Sequence, residues 1–252
     1  MINEPFAAGN SLIHNLDPRI RVGLASVYCF VIALAKHTPV LLAAIVISLS
    51  LIFITRVNPR EIARRLVIVN VLIFLLWAVL PLTYGDPALF RAGPFSISGP
   101  GTKLAAQITL KCNAILLAFI ALIATMPLVT LGHALNRLRV PAKIVLLLLM
   151  TYRYVFVIEQ EYHRLLRAAR IRGFRPGTNL HTYKTYAYVV GMLFVRAAAR
   201  AERVNQAMRC RGFNGKFYTL QQFETVRHDW ILATIITAMI ICLLFLEWSH
   251  RA

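Results

Sequence analysis

The sequence predicts an all-α protein: a polytopic integral membrane helical bundle with two long helices on its cytoplasmic side. Three observations predict it. Apolar residues make up 58% of the 252 residues, the mean hydropathy is +0.64, and the apolar residues are gathered into long runs almost free of charge. Lys and Arg number 28 against 10 Asp and Glu, and the basic residues crowd between runs rather than inside them. Between 140 and 228 the pattern changes to short apolar starts followed by arginine-dense, helix-forming stretches.

The runs approach the length of about 20 residues that a helix needs to cross hydrocarbon. They fall at about 20–35, 39–55, 66–82, 104–127 and 230–248. Buried helices of soluble proteins seldom sustain such runs without charge, which sets a soluble core aside. Lys36-His37-Thr38 is too short for anything but a tight turn between the first two runs. The chain therefore divides into a membrane bundle at 1–139 with about four spans, a cytoplasmic region at 140–228, and a C-terminal transmembrane helix at 229–252.

Short cytoplasmic loops are enriched in Lys and Arg. Arg19 and Arg21 precede the first run, Arg56, Arg60, Arg64 and Arg65 lie between the second and third, and Arg137, Arg139 and Lys143 follow the fourth. The loop at 83–102 carries only Asp86 and Arg91 before Lys103 and is rich in Gly and Pro. The count puts the N-terminus in the cytoplasm, that loop outside, and the C-terminus outside. Met1-to-Asp17 is polar, so no removable signal peptide is expected. The segments 144–150 and 188–195 are apolar but short; they either dip against the bundle or form an additional membrane hairpin.

The cytoplasmic region writes one phrase twice: Ala168-Ala169-Arg170-Ile171-Arg172-Gly173-Phe174 and Ala207-Met208-Arg209-Cys210-Arg211-Gly212-Phe213. Glycine takes the left-handed conformation that ends helices without steric cost, so each copy predicts a helix C-terminus with an arginine at its tip. Leu165 and Ala169 precede Arg172 at helical spacing, as Val204 and Met208 precede Arg211. Each tip is thus a cation beside an apolar shoulder. A guanidinium is a rigid, permanently charged fork suited to a carboxylate, and neighbouring apolar surface desolvates such a contact. The plainer reading is that Arg172 and Arg211 complement the helix dipole and touch lipid phosphate; the repetition argues for the former.

Chemistry of other kinds is hard to find. The four cysteines, Cys29, Cys112, Cys210 and Cys242, have no metal-ligand spacing, and no run has Asp or Glu in its middle, so no bound metal is expected. Phosphate-cradling G-x-x-x-x-G-K-[ST] does not occur; Gly99-Pro100-Gly101-Thr102-Lys103 has the composition but is assigned to the external loop. The net charge of +18 is largely topology signal and headgroup contact, and without aromatic platforms it does not indicate nucleic acid. Lys111, beside Gln107 and Asn113, is the one strong cation within a run. It is expected to snorkel or to hydrogen-bond a neighbouring helix, such as the one carrying Asn70.

The two tips, together with His14-Asn15-Leu16-Asp17-Pro18-Arg19 and Tyr152-Arg153-Tyr154-Val155-Phe156-Val157 leading to Glu161, resemble the transmembrane T component of energy-coupling factor transporters, particularly its cobalt/nickel branch. The resemblance covers nearly the whole chain. It implies a non-catalytic scaffold in a bacterial or archaeal cytoplasmic membrane, between a substrate-binding membrane subunit and two ATP-binding cassette ATPases. It implies that ATP is hydrolysed by those partners and that this chain binds no cofactor. The two long helices become coupling helices, and the ATPase-contacting residues become Arg172 with Gly173 and Arg211 with Gly212, supported by Leu165, Ala169, Val204 and Met208. The family's usual Ala before each arginine is Ile171 and Cys210 here.

Two further readings are weighed against it. A vitamin-type relative would share the tips. A membrane enzyme acting on a lipid-linked substrate would need acids at the interface, and Glu159, Glu161 and His163 form the one close set; pairing with Arg164 and Arg167 along a helix explains them more simply. A self-contained channel is disfavoured by the lack of polar residues along the runs.

Overall fold

The computed structural model describes residues 13, 16–55, 57–83, 88–92, 95–213, 215 and 227–249. Arg56, Asp86, the His14-Asn15 pair and 216–226 lie outside the described residues. The chain forms two compact units, one comprising Leu135–Gln221, the other Glu4–Ala134 with Gln222–Ala252.

In the second unit, α1 (Pro18–Leu34) starts where a proline needs no N–H partner and where the Asp17 carboxylate accepts from Arg19 N at 2.9 Å. A short turn leads to α2 (Thr38–Thr55), followed by α3 (Pro59–Thr83). A two-stranded antiparallel hairpin, β1 (Ala88–Ala92) and β2 (Phe95–Ser98), precedes α4 (Gly99–Phe119). The last turn of α4 widens into a π-helical segment at Ile120–Ala124. Next comes α5 (Leu128–Arg137), whose last residues from Leu135 belong to the other unit, and, beyond that unit, α8 (Arg227–Ser249).

This is the all-α bundle expected, with the one short hairpin added in the Gly/Pro-rich connection. Among the described residues, four helices are long and apolar enough to cross a membrane: Thr38–Thr55, Pro59–Pro81, Gly99–Ala124 and Asp229–Ser249. The first anticipated run becomes α1, a helix of 17 residues whose opening turn holds Arg19 and Arg21. Two helices begin earlier than their apolar runs. Pro59 starts α3 and takes Arg60, Arg64 and Arg65 into it. Gly99-Pro100-Gly101 is the first turn of α4 rather than loop.

That last difference has a packing reason. A Cβ on Gly101 would stand 2.7 Å from the Leu80 carbonyl oxygen and 3.0 Å from Pro81 Cα. The glycine lets the backbones of α3 and α4 approach at this point. Helix α4 packs against α1, α2 and α3, and α8 packs on α1 and α2. Ala25, Tyr28, Ile32, Leu41, Ala44, Ala114, Ala118, Ile236, Ile240 and Leu243 form the common core.

Polar groups inside this core find partners, as a bilayer demands. The Tyr28 hydroxyl donates to Ala44 O at 2.7 Å and lies 2.9 Å from Ser48 Oγ, which donates to Ala114 O at 2.9 Å. Asn70 and Asn113 exchange amide hydrogen bonds at 3.1 Å, tying α3 to α4. Lys111 behaves as the plainer expectation had it: Nζ donates to Ala33 O at 2.9 Å, and Gln107 Nε2 donates to Lys36 O at 2.7 Å. A cation and an amide of α4 therefore serve the carbonyl end of α1, where the helix dipole is negative.

Arg21 departs from its assignment as a simple topology signal. It is buried, Nε donates to Leu122 O at 2.9 Å, and Nη2 donates to Thr125 Oγ1. The π-helical turn supplies that carbonyl, because its wider winding leaves backbone groups outside the regular i to i−4 ladder.

Gly101→Ala is expected to force α3 and α4 apart and cost about 1–3 kcal/mol. A thermal melt of the detergent-solubilised protein, compared with Gly23→Ala, whose added Cβ meets nothing within 4 Å, checks this.

Candidate functional site

In the other unit, α6 (Ala142–Ile171) and α7 (Leu180–Cys210) run antiparallel. The direction is set by contacts that step outward from the turn. The Phe174 ring meets His181 at a tilt and Tyr186 edge-on, at 6.3 and 5.6 Å between ring centroids. Further out, Glu161 meets Arg196. Beyond that, residues 150–158 face 197–208 across a groove.

Both helices end in the same way. Arg172 and Arg211 are the capping residues, and the glycines that follow have φ of +84° and +74°. Gly173 N donates to Arg170 O at 3.0 Å and Phe174 N to Ala169 O at 3.1 Å; Gly212 N donates to Arg209 O and Phe213 N to Met208 O, both at 3.0 Å. This is the Schellman pattern, with six-to-one and five-to-two bonds closing the carbonyl end. It explains the glycine, which turns left-handed, and the place of the phenylalanine, whose N–H closes the longer bond; the Phe174 ring then packs on His181 and Tyr186. Phe174 is buried and Phe213 half-buried.

With the carbonyls satisfied by backbone, the guanidinium groups are not needed for capping. Arg172 and Arg211 are exposed. Ile171, beside the first tip, is 87% exposed, an unusual setting for a β-branched side chain. Glu161 and Arg196 mark where the helices cross, so the tips lie at opposite ends of the pair, on the order of 40 Å apart at 1.5 Å per residue.

Leu165, Ala169, Val204 and Met208 are all half-buried. The structure brings Val204 and Met208 together in a groove of about 430 Å³, with Met150, Tyr154, Val155 and Ile158 from α6 and Ala197, Arg200 and Ala201 from α7. Leu165 and Ala169 do not line it.

Glu161 is the residue whose role the sequence understated. Its Oε2 accepts from Arg164 at 3.0 Å, the expected partner along the helix. Its Oε1 accepts from Arg196 of α7, a partner that spacing within α6 does not reveal. The hydrogen bond from Arg196 and the nearby charges of Arg164 and Arg200 hold this carboxyl below the usual carboxylate range, against the opposing effect of desolvation. The Arg-Ala-Ala-Ala-Arg-Ala string is the signal that was there to be found: two arginines one turn apart, set among side chains small enough for close approach.

The model of the cobalt transport protein family CbiQ matches residues 9–222. The chain is 27% identical to the energy-coupling factor transporter transmembrane protein EcfT of Leuconostoc gelidum subsp. gasicomitatum, with 97% of each chain covered. It is 25% identical to the EcfT of Bacillus subtilis over 85% of each. It is 28% identical to the cobalt transport protein CbiQ of Rhodobacter capsulatus, over 75% of this chain and 76% of that one.

Gly173→Ala and Gly212→Ala add a Cβ that meets nothing within 4 Å, so their cost is conformational, about 1–2 kcal/mol each. Faster amide exchange confined to the last turn of the helix concerned is the expected result. Because the Glu161 carboxyl titrates lower when folded than when unfolded, its ion pairs contribute fully above the ordinary carboxylate range. That contribution is lost as pH falls through the folded value. Melting followed below pH 5 should therefore weaken in the wild type and much less in Glu161→Gln.

Proposed function

Because the chain belongs to the CbiQ family of cobalt transport proteins, we propose that it is the transmembrane coupling subunit of an energy-coupling factor importer. In this reading it relays the motion of two ATP-binding cassette ATPases to a separate substrate-binding membrane subunit. The names of its relatives place them in such transporters. The observation that carries the proposal is the pair of self-sufficient helix caps. Each closes its own backbone hydrogen bonds and leaves an arginine exposed, and the two face opposite ends of an antiparallel pair.

Separation on this scale suits two grooves on two separate proteins better than two sites on one small partner. An acidic cleft receiving Arg172 or Arg211 would gain a charge-assisted, forked contact, with Ile171 or Met208 excluding water beside it. Gly173 and Gly212 let the backbone turn away, so the arginine stands at the tip. By the charge count, the basic residues Arg137, Arg139 and Lys143 that lead into α6 belong in the cytoplasm, the side where ATP is available. The chain contributes no catalysis and holds no cofactor of its own; the set Glu159, Glu161 and His163 is poorly suited to acid–base work, since Glu161 is engaged by two arginines.

Cobalt is the cargo favoured by the family name and by the Rhodobacter capsulatus relative, with nickel its chemical neighbour. A vitamin cargo keeps the same coupling role, since the substrate would be held by another subunit.

Arg172→Ala and Arg211→Ala are each expected to weaken ATPase attachment about tenfold, equivalent to ~1.4 kcal/mol. The double variant should abolish uptake. Uptake of radioactive cobalt in cells, with copurification of the ATPases, measures both; a double variant with unchanged uptake removes the proposal.

A further inference from the structure

Helix α7 carries the dipeptide Arg-Ala twice, at Arg196-Ala197 and Arg200-Ala201, with Ala198 and Ala199 between them. Four residues is close to one helical turn, so both copies lie on one face. The apolar pair Val204 and Met208 repeats at the same interval. Between 196 and 208 the face that α7 turns toward α6 therefore nearly matches itself when moved along its axis by one turn.

The structure shows one of these registers. Arg196 donates to Glu161 Oε1, while Oε2 is held by Arg164 of the same helix. Arg200 is half-buried along the groove and acts electrostatically on the same carboxylate, without the hydrogen bond that Arg196 makes. Away from the turn, where buried Phe174 packs on His181 and Tyr186 and Gly177 N donates to Thr182 Oγ1, little else locks the helices in place. The buried side chains are Val145, Glu161 and Leu166 on α6, and Thr182 and Val189 on α7. Ala197 and Ala201 line the remaining face, and the groove leaves about 430 Å³ beside them. Side chains this small beside an open groove offer little of the interdigitation that opposes sliding between packed helices.

We propose that Glu161 is a two-position catch: α7 slides along α6 by one turn, about 6 Å, and the carboxylate exchanges Arg196 for Arg200. One guanidinium of α7 meets Oε1 in either register, so neither end state leaves the partly buried anion unpaired. A half-step places an alanine opposite it, which makes the two end states discrete. Arg196, already half-exposed, passes into water when Arg200 takes its place. Glu161 is thus a positioning residue, and the sliding moves the Arg211 tip relative to the Arg172 tip. The consequence for transport rests on the coupling role proposed above; the exchange of registers does not.

The test uses the complex purified from membranes, with the four native cysteines replaced by serine and spin labels at Gln160 and Gln206. Both positions are exposed and are offset along the helix axis. Pulsed dipolar measurements with and without a non-hydrolysable ATP analogue should give two distances differing by several ångströms, whose populations nucleotide shifts. Arg200→Gln should hold the first distance and Arg196→Gln the second, and Glu161→Gln should merge them into one broad distribution. The two arginine variants each keep the carboxylate paired, so the test stands even if Glu161→Gln does not fold. A single distance that neither nucleotide nor either arginine substitution changes overturns the proposal. If the distances exchange as described while Arg200→Gln transports normally, the catch stands and its part in transport falls, whereas the tip-based coupling reading is decided separately by the Arg172 and Arg211 variants.

Discussion

Two helices rich in arginine can lie side by side only where something neutralises them, and here that is Glu161. Helix α6 brings Arg153, Arg164, Arg167 and Arg170, and α7 brings Arg196, Arg200, Arg203 and Arg209. One carboxylate between them, accepting from Arg164 on one side and Arg196 on the other, turns mutual repulsion into a defined crossing point. The direction in which each tip faces follows from that point. The tips themselves need no help from it, since their Schellman bonds are local; their separation depends on it.

The membrane unit is organised by the opposite logic. Its interior is apolar, and every polar group that enters must be answered within it. Helix α4 supplies many of the answers: the Ala114 carbonyl for Ser48, the Asn113 amide for Asn70, and Lys111 and Gln107 for the end of α1. Its π-helical end supplies Leu122 O for Arg21. A bundle with such cross-links resists sliding, whereas the α6 and α7 pair has few buried contacts along its length. The contrast between the two units, one stitched and one loosely apposed, is the physical basis for assigning motion to the second.

Much of this was legible in order along the chain. The apolar runs marked the long helices, and the two Arg-Gly-Phe phrases marked the ends of α6 and α7. Both signals are local, resting on the cost of charge in hydrocarbon and on glycine's freedom at positive φ. The errors share one cause. Gly99-Pro100-Gly101 has the composition of a loop, and its helical state depends on how closely α3 can approach. Arg21 has the composition of a topology signal, and its burial depends on a carbonyl of α4 roughly a hundred residues away. The first run gave α1, correctly helical, but with its length limited to 17 residues.

The sequence by itself determined the class of fold, the helix ends and the cationic character of the tips, because each follows from residues within a few turns of one another. Tertiary structure decided which polar groups meet: Lys111 with the end of α1, Arg21 with the π-helical turn, and Glu161 with Arg196 rather than with its own helix alone. Such pairings depend on distance in space between segments remote in the chain, and neither periodicity nor capping rules carry that information. The two arginines of the Arg-Ala repeat are nearly alike in sequence. Only the packing of α7 on α6 distinguishes the one that holds the carboxylate from the one that stands a turn away.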